Sequence, residues 1–89
     1  PDRGQQTMGN LRFVYILVSE SVHGKHDPDL TTYLFARLEA HNRGRLPHTS
    51  KFTPWRIETS VAFRQRAKAI AFERYLKSHS GRAFASKHF

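Results

Sequence analysis

Arg37 and His41 stand four residues apart in a stretch whose apolar spacing predicts a helix, so both project from one helix face. Arginine offers a planar fork that fits a phosphate, and histidine can move a proton near neutral pH. Glu73 falls in a second predicted helix, where a single carboxylate can hold a Mg²⁺ that keeps most of its waters. Asp27 and Asp29 flank Pro28, and paired carboxylates of this kind can also hold Mg²⁺ and activate water. Each group has a plainer reading. Arg37 and His41 also suit a solvated face opposite Leu34 and Leu38, and Glu73 can pair with Lys68, Arg74 or Lys77. Tyr15 sits in the middle of an apolar run, where a half-buried core tyrosine with its hydroxyl at the sheet edge is the ordinary outcome. Trp55 and Phe63 read as core.

The elements that would position these groups follow from periodicity and breakers. Leu11 to Ser19 is an apolar, β-branched run and reads as a buried strand. Lys25 to Leu30 suits a short second strand in which Pro28, lacking a backbone donor, should stop the pairing or force a bulge. Thr31 or Thr32 can cap a helix that runs to about Asn42, with Gly44 as terminator. Arg45 to Pro54 reads as a loop, and Trp55 to Phe63 alternates as a third strand. Arg64 to Ser78 is a helix with Ala67, Ile70, Ala71 and Leu76 as candidate core, ended by Gly81, and Arg82 to His88 adds a helical turn or two. This order predicts an α+β fold: a small three-stranded antiparallel sheet flanked by helices. Residues 11–89 read as one domain, and Pro1 to Asn10, polar and glycine-containing, as a flexible leader.

The chain has 89 residues and no cysteine, which excludes disulfides, thiolate metal sites and cysteine nucleophiles. The six histidines show no zinc spacing. No apolar run approaches the roughly 20 residues of a membrane span, so a cytoplasmic location with no membrane partner is expected. The formal net charge is +8, from 15 Lys+Arg against 7 Asp+Glu, as often found in nucleic-acid binders. Candidate DNA contacts are Arg43, Arg45, Lys51, Arg56 and Lys77.

Four fragments carry a resemblance over about Leu11 to Phe84. They are the strand Val14-Tyr15-Ile16-Leu17, the helix segment Arg37-Leu38-x-x-His41-Asn42-x-Gly44, the loop His48-Thr49-Ser50-Lys51-x-x-x-Pro54-Trp55, and the helix Ala69-x-x-x-Glu73-x-x-Leu76-Lys77 before Gly81-Arg82. In this order the chain resembles the GIY-YIG nuclease superfamily, and most closely its small stand-alone bacterial members, which are similar to the excinuclease nuclease domain. The resemblance implies a metal-dependent endonuclease scaffold. Glu73 would ligate Mg²⁺ or Mn²⁺, Arg37 would hold the scissile phosphate, His41 would assist proton transfer, and Tyr15 would be the first motif tyrosine.

The chain departs from that pattern in one window. The second motif tyrosine falls on Asp27 and the motif glycine on Asp29, and two carboxylates beside a phosphate add like-charge repulsion. Tyr33 and Phe35 stand in the first helical turn, where relatives commonly carry polar or acidic residues, and at least one should face solvent. Lost catalytic groups and gained aromatics within Asp27 to Phe35 suggest a nuclease site lost or impaired, leaving Tyr15, Arg37 and His41 vestigial. The rim would be remodelled, naturally or by engineering, into a protein-binding surface of His26, Asp27, Asp29, Tyr33 and Phe35. In that patch His26 could make binding pH-sensitive. The alternatives are an endonuclease with a variant active site, in which Asp27 and Asp29 could join Glu73 around a metal, and a non-catalytic DNA-binding domain.

Overall fold

A computed structural model describes residues 11–89. The leader expected at Pro1 to Asn10 lies outside them. Seven elements follow in order: β1 (Arg12–Ser19), β2 (His26–Thr31), α1 (Leu34–Asn42), α2 (Pro47–Ser50), β3 (Trp55–Phe63), α3 (Arg66–Leu76) and α4 (His79–His88). The fold is α+β, a three-stranded antiparallel sheet of order β2-β1-β3 with helices on both faces.

The central position of β1 explains its composition. Phe13 to Leu17 are all buried, because the strand is paired on both edges and covered on both faces. Val14 and Ile16 face α3 and α4, meeting Ala69, Leu76 and Phe84. Tyr15 and Leu17 face α1, meeting Leu34, Leu38 and Trp55. The core stripe of α3 is Ala69, Phe72 and Leu76 rather than the expected Ala67 and Ala71, which are exposed.

Pro28 does not interrupt pairing. β2 runs unbroken along β1, with Pro28 opposite Ile16. β2 is an edge strand, so the missing N–H faces outward, where no ladder bond is lost. The irregularity lies instead between β1 and β3: Leu17 pairs with Ile57 and Ile16 with Thr59, leaving Glu58 as an extra residue. One extra residue inverts which face the strand's alternation presents. Trp55 and Ile57 therefore join the α1 side, while Phe63 joins the α3 side.

α1 begins one or two residues later than the threonines suggest. Its cap position is Tyr33, which makes no side-chain cap bond, and the Thr31 hydroxyl accepts from the Tyr33 N–H at 3.1 Å. At the other end Gly44 has φ +72°, the Gly44 N–H donates to the His41 carbonyl, and the Arg45 N–H donates to that of Ala40. That pair of bonds is a Schellman closure and needs the left-handed glycine. The expected loop between α1 and β3 contains the short helix α2.

Gly81 does not end α3. It lies in the first turn of α4, where its amide donates to the Ser78 hydroxyl at 3.0 Å, and it is buried against the last turn of α3. A Cβ there would sit 1.6 Å from the Tyr75 carbonyl oxygen, so only glycine lets the two helices meet at this angle.

Candidate functional site

The sheet register sets the site. Asp29 stands directly opposite Tyr15, and Asp27 opposite Leu17, so both carboxylates share the α1 face of the sheet. α1 lies on that face through Leu34 and Leu38, and its four-residue repeat brings Arg37 and His41 down over the same spot. Tyr15, Asp29, Arg37 and His41, far apart in sequence, form one polar cluster.

Asp29 is at its centre. Its Oδ2 accepts from the Tyr15 hydroxyl at 3.2 Å and lies 3.7 Å from His41 Nε2 and 3.9 Å from an Arg37 guanidinium nitrogen. Its Oδ1 accepts from the Leu30 amide at 2.8 Å. His41 Nε2 is 3.2 Å from the Tyr15 oxygen, and His41 Nδ1 is 2.9 Å from Thr49 Oγ1. Tyr15, His41 and Thr49 are buried, while Asp29 and Arg37 are part-exposed at the mouth.

The hydrogen-bond directions follow from the inventory of donors. A carboxylate only accepts, so the phenol proton points to Asp29. The Tyr15 oxygen then lies within hydrogen-bond distance of His41 Nε2, and His41 Nδ1 meets the Thr49 hydroxyl, which also donates to the Leu46 carbonyl at 3.2 Å. Thr49, His41, Tyr15 and Asp29 thus form one continuous hydrogen-bonded chain. Burial opposes a charge on His41 and lowers its pKa, with Arg37 acting the same way and Asp29 opposing it. Tyr15 is pushed well above its ordinary pKa, first by burial and then by the Asp29 carboxylate. The phenol therefore keeps its proton, and an ionised nucleophile is disfavoured at this position. Burial and then Asp29 also raise the pKa of Asp27.

Arg37 Nε is buried with no hydrogen-bond partner. Satisfied buried donors are the rule, so this guanidinium N–H is an exception in the cluster.

The remaining predicted residues lie apart. Glu73, mostly buried, holds Lys77 Nζ at 2.5 Å, and this contact raises the Lys77 pKa, as Asp29 and Asp27 do more weakly. Among the described residues, no three His, Asp or Glu side chains gather as metal ligands. Asp27, Asp29 and Glu73 thus do not form the shared metal cluster that the sequence allowed. Glu73, the metal ligand that the resemblance implies, is paired with Lys77, which balances its charge.

His26 is on the opposite face of β2 from Asp27 and Asp29, 3.8 Å from Glu58. Tyr33 and Phe35 are 72% and 77% exposed, so neither packs beneath the loop before β3. Of the basic residues, Arg43 pairs with Glu39, Arg56 with Glu20 and Lys77 with Glu73, while Lys51 lies over the Phe52 ring and Arg45 has no carboxylate partner among the described residues.

Two contributors were not singled out by the sequence. Thr49 orients His41 through its hydroxyl and accepts from Trp55 Nε1 through its carbonyl at 2.9 Å. The Asn42 side-chain amide bonds both the N–H and the carbonyl of Trp55, fastening α1 to the start of β3. Both sit inside the fragments that carried the resemblance, which was their available signal. Among the described residues, no helix is long and apolar enough to cross a membrane. Compared with protein-family models, with curated proteins and with solved structures, the chain matches none.

Proposed function

We propose that this chain is a GIY-YIG-type domain whose nuclease site is blocked by its own Asp29, and whose rim serves to bind another protein. The observation that carries this reading is the position of the Asp29 carboxylate among the Tyr15 hydroxyl, His41 Nε2 and the Arg37 guanidinium. Those are the groups that would face a phosphate, and a resident carboxylate both fills their centre and repels an incoming anion. The protonated state of Tyr15 and the Glu73–Lys77 pair act in the same direction.

The binding surface is the aromatic pair on the first turn of α1. Tyr33 and Phe35 are exposed large side chains beside an edge strand, and tyrosine in particular is enriched among residues that dominate binding energy. Asp29, engaged internally, is a part of the block rather than of the contact surface.

The test is a cleavage assay on single-stranded, duplex and branched DNA with Mg²⁺ or Mn²⁺, run beside the triple substitution Asp27→Tyr, Pro28→Thr, Asp29→Gly. The expected result is cleavage by the substituted chain alone. Cleavage by the chain as it stands, abolished by Glu73→Ala, would replace this reading with a variant endonuclease.

A further inference from the structure

The other face of the sheet carries a groove that plays no part in the Asp29 cluster. It has a volume of about 550 Å³ and lies between the β1–β2 hairpin and α4. That volume is within the range of about 300–1,000 Å³ usual for small-molecule sites. Ile16 and Leu76 form its floor, Ala85 and Phe89 its apolar wall, and Lys77 and Arg82 its rim.

The rim is electropositive in a specific way. Glu58 also lines the groove, but its carboxylate faces His26 at 3.8 Å. Lys77 holds Glu73. Arg82 donates one guanidinium N–H to the Lys77 carbonyl at 2.8 Å and has no carboxylate partner among the described residues. Its remaining donors form a fork suited to a carboxylate, and its charge lies beside the apolar part of the groove formed by Ile16, Leu76, Ala85 and Phe89. The helix–helix contact at Gly81 holds α4 against α3, which fixes Arg82 and the Ala85 wall on one rigid element.

We propose that this groove binds a small amphipathic anion: a carboxylate carried on an apolar chain or aromatic ring. The apolar body lies on Ile16, Leu76, Ala85 and Phe89, and the carboxylate meets Arg82 with Lys77 beside it. A neutral apolar molecule would leave the Arg82 fork unused, and a cation would meet the rim with like charge. A nucleic-acid backbone would leave the apolar floor empty.

Decanoate and indole-3-acetate, titrated into the isotope-labelled full chain and followed by NMR, test the proposal. At least one should give saturable shifts confined to residues around Ile16, Leu76, Ala85 and Phe89. Decanol should bind at least about tenfold more weakly than decanoate, and Arg82→Gln, an exposed change that leaves the core intact, should weaken the carboxylates by about tenfold. Ala85→Trp should fill the cavity and remove the shifts. No saturable shift with either acid, shifts centred on Tyr33 and Phe35, decanol binding as tight as decanoate, or an Arg82→Gln chain with unchanged affinity would each overturn it.

Discussion

The Tyr15 hydroxyl and Asp29 Oδ2 are 3.2 Å apart because their residues are direct partners across β1 and β2. A carboxylate in that register position is held at the centre of the polar cluster by the sheet itself. It couples three titrations: Asp29 raises the pKa of Tyr15, of Asp27 and, against the effect of burial, of His41.

The substitution Asp29→Asn tests that coupling. It removes the charge and keeps the shape, so the Tyr15 and His41 pKa values should both fall. NMR titration of the Tyr15 ring carbon and the His41 imidazole would report them. Values unchanged from the parent would mean that Asp29 does not act on these groups.

Stability should depend on pH through His41 with a defined sign. Its folded pKa lies below the ordinary 6.5, so the neutral form is favoured by folding. The contribution is complete above about pH 6.5 and is lost as pH falls through the depressed folded value. Asp27 runs the other way: its folded pKa lies above 3.8, so its contribution is complete below that value and is lost as pH rises through the folded one. Thermal melts should therefore show Asp27→Asn more stable than the parent at pH 7, with the advantage gone near pH 3. The reverse order would contradict the burial of Asp27.

Thr49→Val should cost about 1–3 kcal/mol, since it leaves His41 Nδ1 buried without its partner. Thr49→Ser restores the hydroxyl and should recover most of that loss. Chemical denaturation measures both, and a loss confined to Thr49→Ser, with Thr49→Val as stable as the parent, would point to the methyl group instead of the hydrogen bond.

Much of this arrangement was legible from residue types and spacing. The apolar run around Tyr15, the alternation from Trp55 and the four-residue spacing of Arg37 and His41 indicate the strands of the sheet and one polar helix face. Three things required the folded chain. The Glu58 bulge moves half of β3 to the other face while leaving its alternation in sequence intact, so no pattern reveals it. Pro28 looked like a breaker because its edge-strand position depends on long-range pairing. The place of Asp29 depends on its register with Tyr15, which sets its carboxylate among Tyr15, His41 and Arg37. His26, adjacent to Asp27 in sequence, lies on the groove side because the period of two puts neighbours on opposite faces.

Gly81 and Gly44 should respond differently to alanine. At Gly44 the strain is conformational, φ +72°, and should cost about 1–2 kcal/mol. At Gly81 the new methyl would overlap the Tyr75 carbonyl, which neither helix can clear without moving, so the loss should be larger, about 3 kcal/mol or more. Parallel denaturant melts decide it, and a Gly81→Ala chain as stable as the parent would mean that α4 does not pack at this distance.

Titration with inorganic phosphate, comparing the parent chain with Asp29→Gly by NMR, bears most directly on the proposed block by Asp29. If the Asp29 carboxylate occupies an anion position, the Asp29→Gly chain binds phosphate with saturable shifts at Arg37 and His41, and the parent shows none there. Equal binding at those residues in both chains, or binding in neither, would contradict it.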